Sequence, residues 1–83
     1  MKIWNLWEHQ KGWGWNVDFS DWENRRLMGH HPQRFQWKVG DEVRARMETG
    51  KIARFKIEKF ETMNGVDDGF FLTVSDVGYL EEM

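Results

Sequence analysis

The chain has 83 residues, a net charge of −2, no cysteine, and an aromatic load of six Trp, six Phe and one Tyr. A single domain of this length buries only roughly 60–65% of its unfolded surface, which leaves little room for an enclosed active site and argues against an enzyme. The absence of cysteine removes disulfides and thiolate metal sites and fits a reducing, cytoplasmic setting; no apolar run approaches the ~20 residues a membrane-crossing helix needs.

In chain order, residues 1–9 predict a first strand carrying Trp4, Leu6 and Trp7, with a turn at Gln10-Lys11-Gly12. The next run alternates cleanly, with Trp13, Trp15, Val17 and Phe19 on one side and Gly14, Asn16, Asp18 and Ser20 on the other, the period of a half-buried strand. The two runs together predict an N-terminal hairpin. Ser20-Asp21-Trp22-Glu23 then has the form of a capping box, so a short helix is expected over residues 21–28, stopped by Gly29. At two turns it is stable only if Trp22 and Leu27 pack onto the sheet.

His30-His31-Pro32-Gln33 reads as a loop, because a proline disfavours helical geometry in the residue before it. Residues 34–39 resume alternation, with Phe35, Trp37 and Val39 facing one way and Arg34, Gln36 and Lys38 the other. From residue 39 to 74 the pattern is that of a three-stranded meander. Val43, Ala45 and Met47 alternate with charged residues, Glu48-Thr49-Gly50 suits a hairpin loop, and Ala53, Phe55 and Ile57 alternate with Arg54, Lys56 and Glu58. Phe60 has the wrong parity to follow Ile57 inward, which predicts a β-bulge at Glu58-Lys59. After a polar loop over residues 64–69 comes the third strand, beginning at Phe70; the last segment is expected to return Tyr79 and Leu80 to the core edge, with residues 81–83 frayed.

The fold class expected is therefore mainly β: a strongly bent antiparallel sheet or partly open barrel of five to six strands with one short helix, in a single domain over residues 1–83. The cadence Val39-Gly40-Asp41-Glu42-Val43, then Gly50-Lys51, then an extended strand, resembles the opening hairpin of SH3-like small barrels such as Tudor and KOW modules. The resemblance covers residues 39–80 and implies architecture alone.

Charge is unevenly distributed. Residues 33–59 hold eight basic side chains against four acids, whereas residues 60–83 hold six acids and no base. Arg44 and Arg46 on one strand and Arg54 and Lys56 on its neighbour would form a basic patch able to hold an anionic ligand, with salt bridges to Glu42, Glu48 and Glu58 as the alternative use of the same residues. Trp13, Trp15, Trp22 and Trp37 are expected mainly to build the core. Trp4 and Trp7 have opposite parity, so one of them should face outward or be covered by a second subunit. With Arg25 and Arg26 they are the candidate partner-binding residues, since Trp and Arg dominate protein interfaces.

His30-His31 with His9 does not form a metal set: adjacent rings rarely reach one ion, and no Cys or suitably spaced carboxylate joins them. The downstream Asn and His of an HNH-type nuclease are missing, Asp67-Asp68 read as solvated turn residues, and no catalytic, metal or cofactor residues are assigned. The function expected is a non-enzymatic binding protein acting by target occupancy or sequestration, an interaction or inhibitor module of phage type working as a homo-oligomer. The alternative is a nucleotide or single-stranded nucleic-acid binder that stacks bases on Trp and holds phosphates with the Arg/Lys patch. The sequence pI near 5.9 argues against duplex DNA, and no membrane partner is expected.

Overall fold

The computed structural model describes residues 1–10, 16–31, 33–65 and 69–80. Among them the β4–β5 hairpin stands as the alternation predicts. In β4 (Glu42–Arg46) and β5 (Ile52–Thr62) Val43 pairs with Phe55 and Ala45 with Ala53 on the buried face, and Gly50 supplies the turn at φ +87°. β6 (Gly69–Tyr79) runs antiparallel to β5 along its length, and the register slips between Ile57 and Lys59, where the bulge was expected. That extra residue returns Phe60 to the core, against Phe70.

The sheet is completed by β1 (Ile3–Asn5), β2 (Asn16–Asp21) and β3 (Arg26–His30), in the order β1-β4-β5-β6-β3-β2. It is a six-stranded, mainly β, strongly curled half-barrel, as the composition and alternation indicated. Its concave side holds one core that includes Trp4, Leu6, Val17, Leu27, Trp37 and Phe70. Among the described residues the only helical pieces are two 3-10 turns, Leu6–Glu8 and Arg34–Gln36, and no helix is long and apolar enough to cross a membrane.

Four expectations are corrected. The helix over residues 21–28 does not form. Asp21 instead accepts hydrogen bonds from the backbone (3.3 Å) and the side chain (2.7 Å) of Asn24, Arg25 takes a left-handed φ of 53°, and the chain turns back into β3. The Asp21 carboxylate thus organises a turn around Asn24, and the Ser20 hydroxyl donates to the Arg26 carbonyl instead of accepting from the Glu23 amide as a capping box requires. Gly29 is not a helix stop. It lies in β3 opposite Val17, where an added Cβ would stand 2.8 Å from the Val17 Cγ2 and 3.1 Å from the Phe70 ring.

The N-terminal hairpin is corrected as well. β1 pairs in parallel with β4, so the sheet is not wholly antiparallel, and β1 and β2 occupy opposite edges. One bridge, Gln10 with Asn16, and one hydrogen bond, from the Val17 amide to the His9 carbonyl (3.2 Å), join the two edges across the open side. Residues 34–39 are not a strand. Trp37 is buried as predicted, but Phe35 is 70% and Val39 61% exposed, because the 3-10 turn abolishes the period-2 register. At the far end β6 continues to Tyr79, which is 58% exposed, and the Leu80 amide bonds to the Ile52 carbonyl. The alternation of Trp13 with Trp15, the Lys11-Gly12 turn, Pro32, Asp67-Asp68 and the frayed end lie outside the described residues.

Candidate functional site

Two surfaces and one buried cluster gather the polar and aromatic residues left over from the core. The first surface is the outer face of β4 and β5. Arg44 and Arg54 are register partners, and like charges placed opposite one another repel. Glu42 resolves this. Its side chain is only 5% exposed, and it accepts from the Arg44 Nε at 2.5 Å with one oxygen and from the Arg54 Nη2 at 2.7 Å with the other. The hydrogen bonds from Arg54 and Arg44 outweigh burial and hold the Glu42 carboxyl below its ordinary value, while Glu42 in turn raises Arg54.

Lys56 stands opposite Glu42 in register and is exposed, and the Arg46 guanidinium lies 4.7 Å from the Trp7 ring centre. Of the other acids proposed to neutralise this face, Glu58 accepts from the Ser75 hydroxyl at 2.9 Å, and Glu48 lines a recess at the end of β4. The structure therefore brings Arg44, Arg46, Arg54 and Lys56 together on one face, with Glu42 as the carboxylate that pairs within it.

The second surface lies around Trp22, at the turn between β2 and β3. Trp22 is 44% exposed and packs edge-on against Phe19 (5.0 Å between ring centres) and Phe55 (6.0 Å). Arg25 covers its ring at 4.0 Å and is itself fixed by Asp76, whose Oδ1 accepts from its Nε at 2.8 Å. On one side of Trp22 is a recess of about 230 Å³ between Leu6, Trp7 and Gln10, the Phe19 edge of β2, and the end of β4 at Arg46 and Met47. On the other side is a recess of about 180 Å³ between Phe55, Arg54 and Tyr79. Trp22 is thus a ridge between two hollows, a position that the expectation of a core role did not foresee.

The sequence-derived partner residues are dispersed. Trp4 is 2% exposed, stacked on Trp37 with ring centres 3.9 Å apart, and its Nε1 donates to Asp41 at 3.2 Å. Trp7 is half-buried under Arg46 at the rim of the larger recess. Arg25 belongs to the Trp22 ridge. Arg26 lies over Phe71 at 4.5 Å, on a different part of the sheet. Asp41, which entered the sequence analysis only as part of the Val39-Gly40-Asp41-Glu42-Val43 cadence, accepts from the Lys2 amide (3.1 Å), the Lys38 amide (3.3 Å) and the Trp4 indole. Burial pushes its carboxyl up, but these donors together more than offset that and leave it below the ordinary value.

The buried cluster joins the first nine residues to the segment between β3 and β4. His31 is fully buried, its Nε2 is 3.0 Å from the His9 Nδ1, and both rings pack against Trp4 and Trp37. Among the described residues no group of three or more His, Asp or Glu side chains is placed to hold a metal ion.

The fold and these surfaces define a small β half-barrel with a basic outer face and an aromatic ridge at its open side. Comparison with known protein families, curated proteins and solved structures finds no match to the chain.

Proposed function

We propose that this chain is a non-enzymatic binding protein that works in the cytoplasm by occupying or sequestering a protein target, as a homo-oligomeric interaction or inhibitor module of phage type. The observation that carries the reading is Trp22, exposed between two recesses while its ring is held in place by Arg25 and Asp76. A large side chain with few conformations left to lose, flanked by hollows and arginines, is the usual anchor of an interface. The likeness of residues 39–80 to SH3-like small barrels supports a recognition role, since a hairpin followed by a long third strand makes the same kind of scaffold for side chains. Trp22→Ala should leave the fold in place and abolish self-association or the co-purification of a partner, read by native mass spectrometry of the protein expressed in its own host. Unchanged masses would rule the reading out.

A second reading, a nucleotide or single-stranded nucleic-acid binder, is favoured by the basic outer face. Buried Glu42 orients two guanidiniums side by side, and Arg46 and Lys56 add charge that it does not neutralise. Oriented guanidinium forks suit phosphate. Titration of tryptophan fluorescence with mono-, cyclic di- and oligonucleotides should then show binding that weakens with salt, and Arg46→Ala with Lys56→Ala should lower the slope of log K against log salt by about 1–2. Silence across the whole series would remove it.

A further inference from the structure

One wall of the larger recess, the segment of Leu6, Trp7 and Gln10, belongs to no long strand. Leu6 anchors it in the core, and its far end is fixed at His9, whose carbonyl accepts from the Val17 amide and whose ring meets His31. We propose that His9 and His31 form a proton-operated latch: the pair holds the His9–Gln10 end of this wall closed while both rings are neutral and releases it when His9 takes up a proton. That release alters partner capture rests on the reading of the Trp22 ridge as a binding site; the latch itself does not.

The hydrogen-bond pattern permits only one arrangement of protons. The Gln33 amide donates to the His31 Nδ1 at 3.0 Å, so that nitrogen carries no hydrogen. The His31 proton is therefore on Nε2, which donates across 3.0 Å to the His9 Nδ1. A second proton on His31 would point at the Gln33 N–H. A second proton on His9 would point at the His31 Nε2–H. The His9 cation therefore breaks the bond between the rings, whereas a His31 cation would lose the Gln33 amide and keep its own Nε2–H on His9.

Both rings face indoles, Trp4 from β1 and Trp37 from the segment before β4. The charged groups beyond them act in opposite senses. Asp41, bonded to the Trp4 Nε1, favours a cation, and the Lys2 ammonium, 4.1 Å from the Trp4 ring centre, opposes one. Glu8 and His30 adjoin the pair along the chain. Histidine is the side chain whose unperturbed charge change lies nearest to neutrality, which makes this pair the proton acceptor of the cluster. What it releases is the bridge that the described residues make across the open side of the half-barrel, Gln10 with Asn16 and His9 with Val17.

The test reads the unliganded protein first. At about pH 7.5, where unperturbed imidazoles are mostly neutral, ring-nitrogen chemical shifts should place the His31 proton on Nε2 and none on Nδ1. Below the transition the protection factor of the Val17 amide should fall by about tenfold per pH unit for each proton taken up, while that of the Ile57 amide, bonded to Asp41 in the core, stays constant. His9→Asn keeps an acceptor near the Nδ1 position without the ring whose cation breaks the bond and should abolish that fall. A protonated His31 Nδ1 in neutral solution, or parallel loss of protection at Val17 and Ile57, overturns the latch without need of any variant. Sedimentation then reads self-association: a drop on acidification in the wild type that His9→Asn reduces supports the regulatory step, and association unchanged by pH while Val17 opens refutes it. Absence of self-association at every pH with the Val17 response intact refutes the homo-oligomer reading and leaves the latch standing.

Discussion

Trp4 and Trp7, three positions apart, have opposite fates. An exposed surface would gain nothing from the Trp4 indole N–H, but in the core that group finds the Asp41 carboxylate, and the ring stacks on Trp37. Trp7 lies in the middle of a 3-10 turn instead of continuing a strand, so its ring stays at the rim under Arg46. Removing the Trp4 side chain leaves a cavity and an orphaned acceptor, so Trp4→Ala should cost about 3–5 kcal/mol, most of the stability of a domain this small. Trp7→Ala should cost less than about 1 kcal/mol, because its ring is only half-buried. Urea unfolding followed by circular dichroism separates them, and equal losses would contradict the placement of the two rings. Parity in the sequence exposed the conflict between these residues; which one enters the core was decided by Asp41, distant in the chain.

Among the elements, the β4–β5 hairpin and the bulge in β5 were legible because alternation is strict there and a single parity break has a single cheap remedy. The turn at residues 22–25 was misread for a definite reason. Ser20 and Glu23 have capping-box spacing, but Asp21 builds a competing turn on Asn24, and a two-turn helix has too few hydrogen bonds to win against a strand that buries Leu27 completely. The strand pattern of β3 was hidden because one of its inward positions is Gly29. That glycine is required by close packing against Val17 and Phe70, not by its backbone angle. Gly29→Ala should therefore destabilise by roughly 1–3 kcal/mol through overpacking. Shortening Val17 in the same chain, Gly29→Ala with Val17→Ala, should recover part of the loss; a double variant that is worse than the sum would count against a steric origin.

At the scale of the whole molecule, stability depends on an edge that is held by a buried acid. Asp41 gathers the start of β1 through the Lys2 amide and Trp4, and the segment before β4 through the Lys38 amide. Its carboxyl, like that of Glu42, sits below the ordinary values of 3.8 and 4.5 in the folded chain. A lowered folded value means that the contribution is complete above those ordinary values and disappears as the pH falls through the still lower folded ones. The urea midpoint should accordingly lose this contribution below about pH 4, apart from any loss at the histidine pair on the way down. Asp41→Asn should cost about 1–3 kcal/mol at neutral pH and make the fall below pH 4 shallower. An unchanged acid profile in that variant would show that Asp41 does not hold the edge.

The sequence alone determined the local terms. Alternating burial made a mainly β chain, the hairpin at Gly50 set one register, a parity break placed the bulge, and the unequal charge put four cations on one face. Those features act over a few residues, where the side-chain period and turn chemistry are enough. Only the tertiary structure decided which strands are neighbours, that β1 runs parallel at one edge while β2 lies at the other, that Glu42 binds two of the four cations, and that Trp22 stands on the surface between two recesses. Each of these depends on contacts between residues far apart in the chain, whose closing is governed by the shape of the shared core and leaves no periodic trace in the order of the amino acids.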